Sequence, residues 1–525
     1  MKTAANKQEL VIVYPQAKGE TFNTDFRALL SFLRCNNIDY RLMAADLTGE
    51  CSLVVDGVLI YLHITDVTYL HKLNAPLSQC KKNNSLLIVG GAEILSVESN
   101  KILDTFKSID IIARAPETEK VLVHLVKTIF NHKNWQTVKG ITYRHPSSEN
   151  KIISTKNRPL SKNLDYLDNP GIYQQNIQNA PGDQWFPVMV SRGCDGDCMY
   201  CGLKEPYRLD YDAGKTTWRK KSAKKVVDDI EFLFSKGVDK FILSCHRFFG
   251  SKKNHASSAV EIAREILRRE LKVKFKFIAL AGDLKRNLQS LFVLREAGLD
   301  EIQVGIDSGA ARFHEMYRTG STVQNCMDVL RFLHENRFKF NISYIFYDPY
   351  LTIPEIKETI IFLKNIKEYF SHLELPYSAY LDSRVLNSAL ILRYGMPIIQ
   401  KLREDGLLVE YPGYSAHPAS VFREPAVKNI YRVYRQVNET ILPKIRHLFY
   451  DKELVTYFNN SFELFPLMVM EKIVHWVENE KSDDLGQIVA GIERFTKDCF
   501  GPLIDNIGDA FPKYKNPALS SWLKR

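Results

Sequence analysis

The sequence predicts an α/β protein in several parts: an amino-terminal doubly wound, Rossmann-like domain, a TIM-like partial barrel, and a mostly helical carboxyl-terminal region. Three observations predict this. At 525 residues the chain exceeds one ordinary core and has room for two or three. Apolar runs of roughly four to eight residues alternate with amphipathic stretches, first within residues 1–135 and again within 185–385. Parallel strands covered by helices read this way. After residue 386 the strand-like runs give way to helical patterning.

Taken in order, the first strand-like run is LVIVYP (10–15), followed by the helical FRALLSFLRCNN (26–37). Further strands are expected at 38–43, 57–64, 85–91 and 109–115. Doubly wound sheets bind ligands beyond the carboxyl ends of their strands. Tyr14, Pro15 and Gln16, the stretch after Ile64, and Gly90 with Gly91 are therefore the candidate binding positions. Adjacent glycines let the backbone approach a ligand closely, or serve tight strand-to-helix packing.

Residues 136–184 read as a hairpin and linker, with Pro146, Ser147, Ser148 and Asn150 as turn residues. The second repeat opens at WFPVMVSRGC (185–194). It continues through a helix at 222–236, a strand at 239–244, a helix at 257–270 and a strand at 274–280, then a helix at 286–298, a strand at 301–306, a helix at 322–336 and a strand at 340–347. In such barrels function sits at the carboxyl ends of the strands. Residues 386–525 read as helical, with no internal repeat or low-complexity tract. Within them Phe462, Phe465, Met468, Met470 and Trp476 fit an apolar helical core better than a substrate pocket.

Bulk properties narrow the function classes. The formal charge of +10 comes from Lys and Arg residues spread along the chain and mixed with acids. This reads as a solvated surface, with an anionic substrate as the alternative. A nucleic-acid partner is disfavoured, because Trp476, Tyr514, Trp522, Lys524 and Arg525 are too scattered to form a basic, stacking patch. No apolar segment reaches bilayer-spanning length, and the polar stretch Met1 to Glu9 lacks the apolar core of a secretory signal. A cytoplasmic location is expected. Nine cysteines without regular pairing read as reduced thiols rather than a disulfide framework.

The chemistry concentrates in SRGCDGDCMYCGLK (191–204), where Cys194, Cys198 and Cys201 stand at i, i+4 and i+7 among Gly193, Gly196 and Gly202. Three thiolates on an iron–sulfur cubane leave one iron open. A structural zinc site completed by Cys245 or His246 is one alternative, and buried structural cysteines are another.

With Tyr200 just before Cys201, this segment resembles the signature of the radical S-adenosylmethionine (SAM) superfamily. The resemblance implies a [4Fe–4S] cluster on Cys194, Cys198 and Cys201, SAM bound at the open iron, and its cleavage to a 5′-deoxyadenosyl radical. It also implies that the Tyr200 backbone lies near the adenine. Gly305, Asp307 and Ser308, in VGIDSG (304–309), resemble the family's glycine-containing segment that packs on SAM, or form a plain strand-to-helix turn. Asp283 stands where relatives place a polar residue near the cofactor, or caps the next helix.

An α/β domain ahead of such a barrel, joined through GITYR and LDYLDNP, resembles the subgroup with an amino-terminal cobalamin-binding domain. The segment at 392–408 resembles the one that follows the barrel in that group. This resemblance implies cobalamin near Tyr14, Pro15, Gly90 and Gly91, and an electron donor such as flavodoxin or ferredoxin. The implied activity is a cobalamin-dependent radical SAM methyltransferase acting on an unactivated carbon of a small molecule or peptide. A cyclase, rearrangement or oxidation enzyme with a cobalamin-binding or degenerate first domain is the alternative, and an RNA-modifying or nucleic-acid-binding iron–sulfur protein is a third.

The chain departs from the subgroup's pattern in three places. An Asp-x-His-x-x-Gly motif is absent from the first domain, and His63 reads as a packed histidine rather than a cobalt ligand. Ala115-Pro116-Glu117-Thr118-Glu119 replaces a Gly-Glu-Gly-Glu stretch, and proline changes the loop's geometry. SCHRFFG (244–250) replaces an acidic pair after the second barrel strand. Cys245 and His246 are therefore candidate catalytic residues for proton or hydrogen transfer, or packing substitutions.

Overall fold

The computed structural model describes residues 9–16, 24–46, 58–64, 69–83, 85–91, 94, 98–114, 116–145, 148, 151–167, 184–202, 218–250, 256–393, 395–409, 419–458, 460, 462–479, 484–503, 507, 510–514 and 516–524. The chain divides into two units. The first is Met1–Ala279, Arg286–Glu301 and Ile391–Ala419; the second is Leu280–Lys285, Ile302–Leu390 and Ser420–Arg525.

The first unit opens with strands β1 (Leu10–Gln16), β2 (Tyr40–Asp46), β3 (Leu59–His63), β4 (Leu86–Gly90), β5 (Ile111–Ala113), β6 (Ile141–Arg144) and β7 (Ile152–Ser154), in the spatial order 2-1-3-4-5-6-7. The first five strands pair in parallel, and β6 and β7 add an antiparallel hairpin to the edge. The segment expected to be a hairpin and linker thus extends the sheet through that hairpin. Helices α1 (Thr24–Cys35), α2 (Tyr69–Lys82), α3 (Ser99–Thr105) and α4 (Thr118–Phe130) cover both faces. Val11, Val13, Ile60, Leu62, Leu87 and Val89 point to the face of α2 and α3. Leu10, Ile12, Tyr14, Leu59, Tyr61 and Ile88 point to that of α1 and α4. The pleat forces this alternation, and with both faces buried the strands must be apolar throughout. Each such side chain contributes roughly 1.5–3 kcal/mol by burial.

The order 2-1-3 reverses the direction of winding between β1 and β3, so their carboxyl ends form the topological switch point where such sheets open a crevice. Tyr14 stands at that point. The Pro15 backbone pairs with Ala45 of β2, while the Pro15 side chain, residues 65–68 after Ile64, and Ala115 lie outside the described residues. Gly90 and Gly91 are both demanded by packing. A Cβ on Gly90 would stand 2.7 Å from Tyr61 Oη and 2.9 Å from Thr118 Cγ2. Gly91 has φ +119° and would place a Cβ 2.3 Å from the Ile64 carbonyl oxygen. Packing alone accounts for glycine at both positions.

The first unit continues with β8 (Phe186–Met189), β9 (Ser191–Arg192), β10 (Arg219–Lys220), α5 (Ala223–Phe234), β11 (Lys240–Ser244), α6 (Ala256–Arg268) and β12 (Lys274–Leu280). β11 pairs in parallel with β8 on one side and β12 on the other, whereas β9 and β10 form a short antiparallel pair. A Ser222 cap on α5, whose Oγ accepts the Lys225 N–H, starts that helix where the periodicity predicts it.

In the second unit α7 (Ala281–Lys285) follows β12 without a loop. The helix expected at 286–298 forms only as α8 (Ser290–Glu296), in the first unit. β13 (Leu299–Asp307), α9 (Ala311–Met316), α10 (Val323–Glu335), β14 (Phe340–Tyr344) and α11 (Ile353–Asn365) keep the strand–helix alternation, and β13 and β14 pair in parallel from Ile302 onward. This alternation is that of a partial TIM-like barrel. Past it the second unit is mostly helical, including α12 (Pro425–Thr440), α13 (Leu442–Tyr450), α14 (Phe465–Asn479) and α15 (Leu485–Phe500). Phe462 stacks on Phe500 at 4.4 Å, Phe465 and Met470 are fully buried, and Trp476 lies against Gly491. These residues are core. Among the described residues no helix is long and apolar enough to cross a membrane.

Candidate functional site

The cysteine segment leaves β9 as a loop whose only local order is a turn at Met199–Tyr200 and another at Gly202. Gly196 sits at its centre. A Cβ there would stand 3.2 Å from Cys194 Sγ and 4.0 Å from Cys198 Sγ, so the two thiols close around a position that holds no side chain. The Gly196 N–H donates to Cys194 Sγ at 3.3 Å, which favours the thiolate. The Cys201 N–H donates to the Cys198 carbonyl at 3.3 Å and draws the third thiol into the same turn. All three cysteines, and Tyr200, are partly exposed. The Ile398 N–H donates to the Met199 carbonyl at 3.0 Å, so the segment at 392–408 returns to brace this loop.

Among the described residues no three ligating side chains gather as tightly as one metal ion requires. A four-iron cubane spreads three thiolates wider than a single ion does. The loop fits that group: small at its centre, polar, and with a backbone N–H donating to a cysteine sulfur. All the described cysteines are free thiols, and Cys51 lies outside the described residues.

The end of β11 adds three residues. The His246 Nδ1 accepts the Gly193 N–H at 3.0 Å. Because a backbone amide only donates, Nδ1 carries no proton and the neutral ring presents Nε2–H. The ring stays accessible to solvent while protein crowds it on most sides, and that crowding lowers its proton affinity against the opposing charge of Asp25. Burial, with the neighbouring Cys194 thiolate second, pushes the Cys245 thiol up to about 12. Arg247, which the sequence reading passed over, donates to Asp195 Oδ1 at 3.2 Å and lies 3.3 Å from the Cβ position of residue 196. Its signal in the sequence was a cation standing where an acidic stretch was expected.

A polar seam joins this loop to the amino-terminal sheet. Arg192, in β9, donates to Asp25 at 2.8 Å and to Glu119 at 2.7 Å. Arg219, in β10, pairs with Glu117, and Tyr166 Oη donates to Glu119 at 2.7 Å. Both glutamates and both arginines are buried. Burial alone would raise the Asp25 carboxyl, but the Arg192 cation, followed by His246 and His63, holds it below its usual value. Next to Asp25, Phe26 stacks on Tyr14 at 4.3 Å and tilts against His63 at 4.9 Å. His63 Nδ1 lies 3.3 Å from Tyr61 Oη, and burial lowers its pKa to about 4. This is the packed histidine the sequence suggested. The acidic stretch departs from the subgroup's pattern, and its acids bind arginines: Glu117 and Glu119 were legible as acids, but their partners lie 102 and 73 residues away respectively.

In the second unit the end of β13 is a strained strand-to-helix turn. β13 bulges between Gly305 and Asp307, and Asp307 adopts φ +64°, a conformation non-glycine residues rarely take. The Asp307 carbonyl accepts the Ile345 N–H at 2.8 Å, and Tyr344 Oη accepts the Gly309 N–H. Ser308 Oγ accepts the Ala310 N–H at 3.2 Å. His314 bridges the Ser308 carbonyl at 2.9 Å and Thr319 Oγ1 at 2.8 Å, fixing the turn from below. Asp283, buried, is the third residue of α7 and so does not cap the following helix. Gly282 beside it packs on the Gly320 backbone.

Comparison with known proteins bears on this arrangement. Residues 188–363, which include the cysteine loop and the strained turn, match the model of the Radical SAM superfamily. An anaerobic magnesium-protoporphyrin IX monomethyl ester cyclase from Cereibacter sphaeroides is 30% identical over 261 residues, covering 48% of this chain and 40% of its own length. The matches span between 40% and 59% of the curated relatives' lengths. The solved structure of the cobalamin-dependent SAM radical enzyme OxsB superposes with a TM-score of 0.70 at 16% identity, covering 98% of this chain and 83% of the other. The radical SAM methyltransferase TsrM from Kitasatospora setae superposes with a TM-score of 0.57 at 15% identity, covering 78% and 79%. At these identities the superpositions establish a shared fold. The domain match implies a [4Fe–4S] cluster with SAM as its partner. With the match over residues 188–363, the three cysteines on their glycine-centred loop, and the shared architecture, the chain carries a radical SAM domain and has the fold of cobalamin-dependent radical SAM enzymes.

Proposed function

We propose that the chain is a cobalamin-dependent radical SAM methyltransferase that methylates an unactivated carbon of a small molecule or peptide. The observation that carries this reading is the seam described above: the switch point of a doubly wound sheet is tied through Asp25 and Arg192 to the loop bearing the three cysteines. When bound, the cluster and SAM supply a 5′-deoxyadenosyl radical for hydrogen abstraction, and cobalamin supplies the methyl group.

In this reading Cys194, Cys198 and Cys201 hold the cluster, and Tyr200, Asp283, Gly305, Asp307 and Ser308 position SAM. Tyr14 and Pro15 mark the crevice that would take the corrin, with Gly90 and Gly91 shaping the end of the neighbouring strand. His63 is committed to the aromatic packing around Tyr61 and Phe26 and would not be among the residues that hold the corrin. Cys245 and His246 stand at a strand end where a neutral thiol and a neutral imidazole can pass hydrogen or a proton at the substrate. The electron comes from a small donor protein such as flavodoxin or ferredoxin.

The cyclase relative favours a second reading, in which the same radical closes or rearranges a ring. One experiment separates the two. The protein is purified anaerobically, reconstituted with iron and sulfide, loaded with cobalamin and desalted, beside a variant with Cys194, Cys198 and Cys201 changed to Ala. Retained cobalamin bands, with a broad cluster absorption lost in the variant, are the expected result. Product mass then decides: a gain of one methylene unit supports methyl transfer, and an unchanged or dehydrogenated mass supports the second reading. A wild-type protein without cluster absorption refutes both.

A further inference from the structure

Arg247 follows His246 at the carboxyl end of β11 and is only 9% exposed. Its backbone carbonyl accepts the Trp218 indole N–H at 2.8 Å, which anchors the residue from behind. Its guanidinium reaches the cysteine loop, where Nη1 donates to Asp195 Oδ1 at 3.2 Å, and Asp195 is itself only 10% exposed. The Cβ position of residue 196 lies 3.3 Å from Arg247 Nη1 and 3.2 Å from Cys194 Sγ. Arg247 Nη1 and Cys194 Sγ thus flank one point, and the carboxylate that Arg247 binds belongs to the residue next to Cys194 in the loop. Both side chains are largely buried, so water screens them less than it would on the open surface.

We propose that Arg247 and Asp195 form an opposed charge pair that sets the reduction potential of the cluster, with Arg247 as a positioning residue that also holds the loop. This rests on the cluster reading above. Reduction adds one electron to the iron–sulfur core from an external low-potential one-electron donor; no bond forms or breaks, and the core gains one negative charge. A neighbouring cation stabilises that added charge and an anion opposes it. The two side chains therefore pull the potential in opposite directions, and removing each one alone moves it oppositely. A scaffold role without electrostatic influence predicts no such antisymmetry.

The test uses wild type, Arg247→Met, Arg247→Lys and Asp195→Asn, each purified anaerobically and reconstituted with iron and sulfide. Iron content and visible absorption are measured first. Each sample is then poised at a series of potentials, and the reduced cluster is followed by electron paramagnetic resonance. The expected result is a more negative midpoint for Arg247→Met, a less negative one for Asp195→Asn, and a midpoint close to wild type for Arg247→Lys. Midpoints unchanged in both charge-removing variants, or shifted in the same direction, overturn the inference even where iron content falls. A wild-type protein that takes up no cluster instead overturns the cluster reading, and the inference with it, and the iron assay distinguishes that case before any potential is read.

Discussion

Along β1, β3 and β4 the side chains meet apolar partners on both faces of the sheet, from Val11 and Leu62 on one side to Ile12 and Ile88 on the other. At the carboxyl end of β1 and over the start of α4, in the same unit, the partners are ions: Asp25 and Glu119 with Arg192, and Glu117 with Arg219. The two regions are comparably buried but differ in what a substitution leaves behind. Trimming an apolar side chain removes contacts that neighbours partly restore by shifting. Removing one member of the seam strands a charge that no neighbouring movement can solvate.

The largest expected effect follows from that difference. Glu119→Ala removes a buried carboxylate partner of Arg192 and the acceptor of Tyr166 Oη. A loss of about 3–5 kcal/mol in chemical denaturation is expected. A loss below that of a conservative core trim would break the comparison.

Proton uptake at the edge between the regions sharpens it. Burial holds the folded His63 pKa near 4, against 6.5 for an ordinary imidazole, although Asp25 pulls the other way. Between those values the unfolded chain binds the extra proton, so stability is full above the unfolded pKa and declines as pH falls toward about 4. The loss reaches roughly 3 kcal/mol. Denaturation midpoints measured at near-neutral and acid pH should diverge in wild type, and diverge less in His63→Gln.

Gly91→Ala forces a Cβ against the Ile64 carbonyl at positive φ, and a cost of about 1–3 kcal/mol is expected from the strain. Thermal denaturation measures it; a neutral result would break the packing account of that glycine. The smallest effect belongs to the apolar face. Ile88→Val should cost only about 0.5–1.5 kcal/mol, measured in the same denaturation assay.

Much of the fold was legible because it is written in local periods. The continuously apolar strands of the first sheet and the alternating strands and helices from Phe186 to Tyr344 occur close to where the apolar runs place them. Boundaries were less legible: α7 follows β12 without a loop, where a longer helix was expected further on, because Gly282 is held against Gly320 by tertiary contact. The hairpin at 141–154 showed its turn, but not that it would extend the sheet, since edge pairing depends on a neighbour 30 residues away.

The candidate site divides the same way. The spacing of Cys194, Cys198 and Cys201 is a property of one short loop and needs no distant residue, so the resemblance to a radical SAM signature was visible in the sequence alone. Gly90 and Gly91 were visible as special, but only contacts with Tyr61, Ile64 and Thr118 show why glycine is required. Arg192, Arg219 and Arg247 were three of many cations in a chain of mixed charge. Which of them became buried, and against which carboxylate, was decided by the fold, because a charge finds its partner through space and carries no period along the chain.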